Sequence, residues 1–307
     1  MAEGQAPMIT AQPGQAVDEH PAITQQPAIE VRGLSKRYGK LEAIHGSTFE
    51  VDRGEIFGLI GPDGAGKTST FQILAGVMEA TSGSGNIFGR PAREMRSHTG
   101  YLTQTFSLYP DLTVAENIRY SGDLRNIPPK EIAERGHQYL QMFEMDRFAD
   151  RLTAQLSGGM KQKLALVCAL VPQPQVLLLD EPTTGVDPVS RREFWDVLAH
   201  LTTEGLTILV ATPYLDEAER CRRIAFMHQG KILNIGTPAE LCGSLGAKRI
   251  ELRTADLRKA QSILSQETGP DKEIIDVQRF GDRLDLLVHD PDKEQQRVRE
   301  KLEHAGL

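Results

Sequence analysis

The pattern of apolar and polar positions divides the chain from residue 28 onward into short strands and longer helices. Nearly continuous apolar runs are typical of parallel strands buried on both faces, whereas an apolar spacing of three to four residues indicates a helix. Strand-like segments are AIEVRGL (28–34), STFEVDRG (47–54), EIFGLIG (55–61), QVLLLDEP (175–182), LTILVAT (206–212) and RIAFMHQG (223–230). We expect helices over Lys67–Met78 and Val189–Glu204, and a mainly helical region from about 106 to 156.

The order of these elements predicts the fold class. Val189–Glu204 lies between two buried strands and forms a βαβ unit with them, which indicates an α/β architecture. Past about Gly246 the pattern changes to a strand, a helix, a hairpin around Gly281 and Asp282, and a charged final helix. We therefore expect a small α+β accessory domain of order βαββα over residues 247–307.

The first 28 residues differ from the rest of the chain. They consist mainly of Ala, Pro and Gln without periodicity, which predicts a disordered tail over residues 1–28. The tail lacks Lys, Arg and an apolar core, so it does not resemble a secretory signal. The longest stretch without acidic or basic residues, Leu164–Leu179, has sixteen residues and contains prolines. A bilayer span needs about 20 apolar residues, so we expect any membrane role to depend on a partner protein.

Composition and charge narrow the function further. With 39% hydrophobic and 25% charged residues, the chain has the composition of an ordinary globular protein. The 35 basic and 42 acidic residues give a net charge of −7, which argues against a nucleic-acid partner. Cys168, Cys221 and Cys242 are widely spaced and form no CxxC pair, so we expect reduced thiols, no zinc site and a cytoplasmic location.

A glycine-rich loop supplies the first candidate site. Gly61–Thr68 fits the pattern G-x-x-x-x-G-K-[ST] and lies between an apolar strand and a helix, as a phosphate-binding loop requires. Backbone N–H groups and the helix N-terminus would bind phosphates, Lys67 would contact the β- and γ-phosphates, and Thr68 would ligate Mg²⁺. A turn without a ligand would need neither side chain. The predicted nucleotide-binding residues here are Gly61, Pro62, Asp63, Gly64, Ala65, Gly66, Lys67, Thr68 and Ser69.

Two adjacent acidic residues end the buried strand at 176–180. Ligands of open α/β sheets gather at the carboxyl ends of the strands, so Asp180 would hold Mg²⁺. Glu181 would orient or deprotonate the water that attacks the γ-phosphorus. An Asp-Glu pair at a strand end is structural more often than not, but together with the phosphate loop it predicts a hydrolytic site.

The segment LSGGMKQ (156–162) lies 23 residues before Asp180, counted from Ser157, and begins a helix. On this segment the chain resembles the ATP-binding subunits of ABC transporters. Further motifs occur in the family's order: Tyr38 in LSKRYG, Gln104 in GYLTQ, and Asp187 in GVDP. The resemblance covers roughly residues 28–240. It implies a P-loop NTPase fold of the ABC type over residues 29–240, with an antiparallel β subdomain and a helical subdomain.

The resemblance also implies roles for individual residues. Tyr38 would stack on adenine, although by itself it could be a surface tyrosine of a strand. Gln104 would be catalytic, reaching Mg²⁺ or the attacking water, although a loop glutamine is usually only solvated. Ser157, Gly158 and Gly159 would contact the γ-phosphate of ATP held on a facing subunit. The resemblance thus implies ATP and Mg²⁺ as cofactors, a dimer closed by ATP, and Lys67, Gln104 and Glu181 as catalytic residues.

One position departs from the family pattern. Members usually have a histidine at the place that Pro213 occupies in VATPYLDEAE, and proline has no side-chain donor. Neither His200 nor His228 is a convincing substitute. Loss of one transition-state contact typically lowers the rate on the order of 10²-fold. We therefore expect this chain's own site to bind ATP but hydrolyse it slowly, which favours a heterodimer with a second, histidine-bearing ATPase over a homodimer.

The segment LSGGMKQ (156–162), here called the signature, and the run YLDEAER (214–220) resemble those of ATPases of multidrug, antibiotic and polysaccharide exporters. This resemblance implies membrane permease partners and a peripheral location at the cytoplasmic face of the membrane. The segment after Gln104, with Phe106, Leu108 and Tyr109, is a candidate docking surface for the permease, although a partly buried local cluster is nearly as plausible. Two alternatives remain open: a nucleotide-gated regulatory subunit that does not hydrolyse ATP, and a soluble ABC ATPase outside transport.

Overall fold

The structure is a computed structural model that describes residues 26–104, 108–244, 246–269 and 272–307. Strands in these ranges are β1 (Ile29–Tyr38), β2 (Leu41–Val51), β3 (Ile56–Ile60), β4 (Ser82–Ile87), β5 (Arg90–Pro91), β6 (Thr99–Leu102), β7 (Val176–Asp180), β8 (Thr207–Thr212), β9 (Arg223–His228), β10 (Lys231–Gly236), β11 (Lys248–Leu252), β12 (Ile274–Phe280) and β13 (Arg283–Val288). The α-helices are α1 (Lys67–Leu74), α2 (Val114–Asp123), α3 (Pro129–Met142), α4 (Gly158–Leu170), α5 (Pro188–Thr203), α6 (Leu215–Ala218), α7 (Pro238–Ser244), α8 (Leu257–Ser265) and α9 (Pro291–His304).

A central six-stranded sheet has the order β10-β9-β3-β8-β7-β6. Every neighbouring pair in it is parallel except β9 and β10, which pair antiparallel. Strands β3, β7 and β8 are buried along their whole length, because their continuous apolar sequences fit a sheet covered on both faces. The predicted βαβ unit is confirmed as β7-α5-β8. The carboxyl ends of β3, β7 and β8 therefore lie side by side at one edge.

A second, antiparallel sheet of order β2-β1-β4-β5 covers one face of the central sheet together with α1. Its strands are longer than the sequence indicated, since β1 continues to Tyr38 and turns at Gly39 into β2. Strand β4 was missed because SGSGNI lacks the usual strand composition. The sheet requires glycine there: a Cβ on Gly83 would lie 2.2 Å from the Gly33 carbonyl oxygen.

The other face of the central sheet is covered by α2, α3, α4 and α5, which share one apolar core with it. Helices α2 and α3 approach closely at Gly136, where a Cβ would lie 2.8 Å from Ile118 Cγ2. The predicted helical region at 106–156 is confirmed for α2 and α3. No helix of the described residues is both long enough and apolar enough to span a membrane.

The C-terminal part has its own core. Strands β11, β13 and β12 form an antiparallel sheet in that order, and α8 and α9 pack on it through buried apolar residues such as Leu264, Leu286 and Val298. The element order is the predicted βαββα. The other face of this sheet, away from α8 and α9, carries charged side chains. Among them are Arg249 and Asp285, whose Nη1 and Oδ2 atoms are 3.4 Å apart.

Two predicted boundaries were wrong. Ala28, which the sequence analysis assigned to the tail, is fully buried, donates its N–H to Val51 and accepts from Phe88. Residues 1–25 of the predicted tail lie outside the described residues. Helix α1 ends at Leu74 rather than at Met78, because Gly76 adopts a left-handed conformation with φ of 69° that terminates the helix.

Candidate functional site

The loop between β3 and α1 curves because two of its glycines approach other backbone segments. A Cβ on Gly61 would lie 2.1 Å from the Met227 carbonyl oxygen. Gly66 has a φ of 106°, and a Cβ there would lie 2.5 Å from the Ala43 carbonyl oxygen. Any larger residue would push the loop outward. The loop therefore leads directly into the N-terminus of α1, whose free N–H groups and positive dipole end favour anions.

The Lys67 ammonium lies within this curve. Its Nζ donates to the Gly61 carbonyl at 2.8 Å and to the Pro62 carbonyl at 3.1 Å, and it lies 3.3 Å from Glu181 Oε1. The charge is buried but paired and hydrogen-bonded, as a buried cation requires. Lys67 is thus held at the phosphate loop, in contact with Glu181, which follows β7 directly.

Asp180 is fully buried at the carboxyl end of β7. Thr68 Oγ1 donates to its Oδ1 at 3.3 Å, while Oδ2 has no hydrogen-bond partner among the described residues. Burial raises the pKa of Asp180 to about 6, and the Thr68 hydrogen bond offsets part of that shift. A hydroxyl beside a carboxylate with an unused buried oxygen is the hard oxygen donor set that suits Mg²⁺.

Glu181 occupies a conformation that residues other than glycine rarely adopt, with a φ of 52°. Its N–H donates to the Ala211 carbonyl at 2.9 Å, which fixes the turn. The Oε2 atom accepts from Gln104 Nε2 at 3.1 Å and from Thr184 Oγ1 at 3.4 Å. Backbone strain of this kind concentrates at functional sites, and here it orients a carboxylate whose two oxygens both have donors.

Gln104 follows β6, the strand that pairs with β7 in the central sheet. Its hydrogen bond to Glu181 places it beside the acidic pair of Asp180 and Glu181, so it is not simply a solvated loop residue. Residues 105–107 lie outside the described residues, and with them Phe106 of the candidate docking surface. The structure therefore brings Lys67, Thr68, Gln104, Asp180 and Glu181 into one set of contacts.

Tyr38 ends β1 next to the first turn of α1. Its hydroxyl shares a hydrogen bond of 3.2 Å with Ser69 Oγ and donates to Met78 Sδ at 2.9 Å. Lys36 Nζ lies 5.2 Å from the centroid of the Tyr38 ring, and Tyr38 is 42% exposed. A partly exposed aromatic ring thus lies beside the phosphate loop, held by a residue of that loop's helix.

The signature segment makes different contacts. Ser157 caps α4 by accepting from the Met160 N–H at 3.3 Å, and Gly158 is exposed. A Cβ on Gly159 would lie 2.8 Å from Ser190 Oγ, so glycine allows α4 to pack against the start of α5. No hydrogen bond or ion pair among the described residues joins Ser157–Gly159 to the phosphate loop.

The turn after Glu181 leads into α5 through Asp187. The Asp187 carboxylate accepts from the N–H groups of Val189 at 3.1 Å and Ser190 at 3.0 Å, which caps the helix. The hydrogen bonds from Ser190 lower the pKa of Asp187. Gly185 has a φ of 75° and lets the chain turn between the strand end and this cap.

Pro213 follows β8 directly, where the N–H of Tyr214 donates to Thr212 Oγ1 at 3.1 Å. His200 lies far along α5 and pairs with Glu204 at 3.5 Å between Nε2 and Oε1, and His228 is an exposed residue at the end of β9. Within the described ranges, neither histidine is hydrogen-bonded or ion-paired to the phosphate loop or to the acidic pair.

Three residues that contribute to the site were not predicted from the sequence. Thr184 donates to Glu181, and a hydroxyl three residues after the predicted catalytic glutamate was a usable signal. Ala43 and Met227 limit the loop through main-chain carbonyl oxygens, which carry no side-chain signal in a sequence.

Comparisons with known proteins identify the family of the chain. Residues 44–184 match the family model described as ABC transporter. The chain is 38% identical over 270 residues to the probable multidrug ABC transporter ATP-binding protein YbhF of Escherichia coli (strain K12). The aligned region covers 87% of this chain but only 42% of YbhF. This chain therefore spans less than half of the length of that relative.

Two further matches cover nearly whole proteins. The Nod factor export ATP-binding protein I of Paraburkholderia xenovorans (strain LB400) is 36% identical over 283 residues, with 86% of this chain and 93% of that protein covered. The dimeric structure of MJ0796, a bacterial ABC transporter cassette, matches with a TM-score of 0.64 and 26% identity over 68% of this chain and 98% of that one. The expected ABC-type P-loop fold is thus confirmed, and the chain belongs to the ATP-binding cassette family of ABC transporter ATPases.

Proposed function

We propose that this chain is the ATP-binding and ATP-hydrolysing subunit of a membrane ABC exporter and acts through ATP-dependent dimerisation. One observation carries the proposal: the contacts that join Lys67 to Glu181, Gln104 to Glu181, and Thr68 to Asp180 form a single cluster at the carboxyl edge of the central sheet. The same cluster contains a cation for phosphates, oxygen donors for a divalent cation and an oriented carboxylate.

Each residue has a distinct role in this proposal. The loop N–H groups and Lys67 bind the phosphates, and Tyr38 stacks on adenine, which contributes about 1 kcal/mol. Thr68, Asp180 and Gln104 would hold Mg²⁺, which supplies charge neutralisation at the phosphates. Glu181 accepts a proton from the attacking water, and Gln104 and Thr184 keep its carboxylate in position.

The exposed N-terminus of α4 supports the dimer. Ser157 and Gly158 present a hydroxyl and N–H groups toward solvent, and such a helix start suits a phosphate. Because no hydrogen bond or ion pair in the described part of the chain joins these residues to its own phosphate loop, we assign their phosphate to ATP on a facing subunit. MJ0796, whose cassette was solved as a dimer, is consistent with this arrangement.

Pro213 makes the partner a different ATPase in this proposal. Proline at the end of β8 offers no hydrogen-bond donor to the γ-phosphate, so the site on Lys67 and Asp180 turns over slowly. The signature of this chain would instead complete a faster site on a second subunit that has the histidine. A heterodimer is therefore favoured.

A groove beside β6 supports docking of a permease segment. It has a volume of about 210 Å³ and lies between β6, α2 and α4. Tyr109 and Tyr120 lie on its lining in an edge-to-face pair with centroids 4.7 Å apart, and Leu108 and Leu124 add apolar surface. Tyr109 and Leu108 follow Gln104 closely in sequence, so a bound permease helix could act on the catalytic glutamine. Location at the cytoplasmic face of the membrane follows from this partner.

Two experiments test the proposal. The first measures ATP binding and steady-state turnover of the purified full chain with Mg²⁺: we expect binding with turnover on the order of 10²-fold below that of a histidine-bearing ATPase, and fast turnover would contradict the asymmetric site. The second isolates the chain with its native companions from membranes. Capture of permease subunits and a second ATPase supports the exporter, whereas ribosomes or a solitary chain would favour a soluble ABC ATPase.

The purified chain also distinguishes an enzyme from a nucleotide-gated subunit, the alternative that Pro213 favours. The test is made without the second subunit, because that subunit's faster site would dominate the turnover of the complex. Glu181→Gln should abolish the slow turnover of the purified chain if its own site hydrolyses ATP. Turnover that Glu181→Gln leaves unchanged would instead assign the chain a purely gating role.

A further inference from the structure

A buried ionic cluster includes a residue of the turn that follows Glu181, and it has no role in the function proposed above. Glu217, on α6, is only 1% exposed, and its carboxylate accepts from the Thr183 hydroxyl. Arg191, on the first turns of α5, places Nε 3.5 Å from Glu217 Oε1 and Nη1 3.3 Å from Asp216 Oδ2. The cluster thus joins three separate segments of the chain.

The cluster is incompletely satisfied. Glu217 Oε2 and Arg191 Nε are both buried and have no hydrogen-bond partner among the described residues, since 3.5 Å is an ion-pair distance rather than a hydrogen bond of good geometry. Burying a charge with idle atoms is costly, and apolar residues would stabilise a purely structural contact better. Because Glu217 Oε2 and Arg191 Nε have no hydrogen-bond partner among the described residues, the two side chains can exchange hydrogen-bond partners while these atoms stay buried.

Two members of the cluster, Thr183 and Arg191, lie close to residues that we propose act on the nucleotide. Thr183 lies two residues after Glu181 in the strained turn. Arg191 lies one helical turn after the Asp187 cap and next to Ser190, which contacts Gly159 of the signature. A shift at the turn can therefore reach the signature through rigid, packed elements.

The same cluster holds the segment that contains Pro213. The Arg191 guanidinium lies 4.7 Å from the ring centroid of Tyr214, the residue after Pro213. A histidine at position 213 could anchor this segment to a bound phosphate, but proline cannot. In this chain Arg191 attaches the segment to α5 instead.

We propose that Glu217, with Arg191 and Thr183, is a positioning residue that transmits nucleotide binding at this chain's slow site to its own signature helix. The inference rests on the proposed function, because it assumes that the phosphate loop binds ATP. ATP contacts at Glu181 move Thr183, the movement changes the partners of Glu217 and Arg191, and α5 shifts the start of α4. The slow site then regulates the site that the signature completes on the second subunit.

Hydrogen–deuterium exchange of the full chain tests this transmission, with Mg²⁺ and ATP as the probe. In the unmodified chain we expect ATP to slow exchange in the peptide around Lys67 and to change exchange in the peptide spanning Leu156–Gln162. In Thr183→Val and Glu217→Gln we expect the first change to persist, with ATP affinity within about twofold, and the second to fall at least threefold. Thr183→Ser keeps the hydroxyl and should show both changes, as the unmodified chain does.

Glu219→Gln is the matched control, because Glu219 lies on the same short segment but is exposed. It should behave as the unmodified chain does. A signature response that persists in both Thr183→Val and Glu217→Gln, or that is missing from the unmodified chain while the Lys67 peptide responds, overturns the inference alone. Absence of any response at Lys67 overturns the proposed function and the inference with it. Thr183→Val is nearly isosteric and keeps the test decisive even if Glu217→Gln does not fold.

Discussion

Lys67 Nζ lies 3.3 Å from Glu181 Oε1, and their side chains are only 3% and 7% exposed. The cation expected to bind phosphate and the carboxylate expected to activate water are therefore partners of one another. With two loop carbonyls at 2.8 and 3.1 Å, Glu181 completes the contacts of the ammonium. A phosphate that reaches Lys67 must replace at least one of these partners, so nucleotide binding and the freedom of Glu181 are linked.

Removal of the Lys67 charge should weaken ATP binding selectively. Hydrogen bonds to charged groups contribute about 1.5–3 kcal/mol, so we expect Lys67→Met to lower ATP affinity by about 10- to 100-fold. Equilibrium binding of a fluorescent ATP analogue measures the change. Lys130→Ala removes a lysine of 86% side-chain exposure on α3 and should leave affinity unchanged. Equal losses in both variants would show that the phosphate loop does not bind the nucleotide.

The Tyr38 ring and the Tyr38 hydroxyl can be tested separately. Tyr38→Ala should weaken ATP binding about fivefold, because it removes a stacking surface that contributes about 1 kcal/mol. Tyr38→Phe keeps the ring and loses only the bonds to Ser69 and Met78, so its affinity should stay within about twofold of the unmodified chain. If both variants bind ATP as the unmodified chain does, adenine is held elsewhere.

Introducing a hydrogen-bond donor after β8 should accelerate ATP hydrolysis at this chain's site, which we propose to be slow. We expect Pro213→His to raise the steady-state turnover of the purified chain by at least tenfold, since one transition-state contact typically changes the rate by 10²-fold or more. Pro213→Ala removes the ring without adding a donor and serves as the control. Adding Glu181→Gln to Pro213→His should abolish the gain. A comparable gain in Pro213→Ala would assign the effect to backbone freedom rather than to the imidazole.

The three cysteines should react very differently. Burial raises the pKa of Cys168 and of Cys221 to about 12 each, whereas Cys242 is exposed. Because the thiolate is the nucleophile, the thiols of the half-buried Cys168 and the buried Cys221 should become reactive only as the pH rises toward 12 or the chain unfolds. Iodoacetamide at pH 8, followed by mass spectrometry of peptides, should label Cys242 alone. In the folded Cys242→Ser variant, rapid labelling of Cys168 or Cys221 would contradict the raised pKa of these two thiols.

Several features could be predicted from local sequence because local chemistry determines them. The phosphate loop needs glycines, a lysine and a hydroxyl in adjacent positions, so Gly61–Ser69 could be recognised without a structure. The strands β7 and β8 are continuous apolar runs, and the C-terminal βαββα order follows from alternating periodicities. Strand β4 could not be found, because Gly83 is required by the neighbouring Gly33 backbone and Gly85 by the Leu74 side chain rather than by any strand propensity.

By itself the sequence determined the fold class, the α/β order, the phosphate loop with Lys67, the acidic pair at Asp180 and Glu181, and the proline at position 213. Those features depend on short segments whose residues must be particular types. Only the tertiary structure decided that Gln104 and Thr184 share one oxygen of Glu181, and that Glu217 binds Thr183 across 34 positions. Such contacts arise where separate strand ends meet at one sheet edge, and no spacing along the chain specifies that meeting.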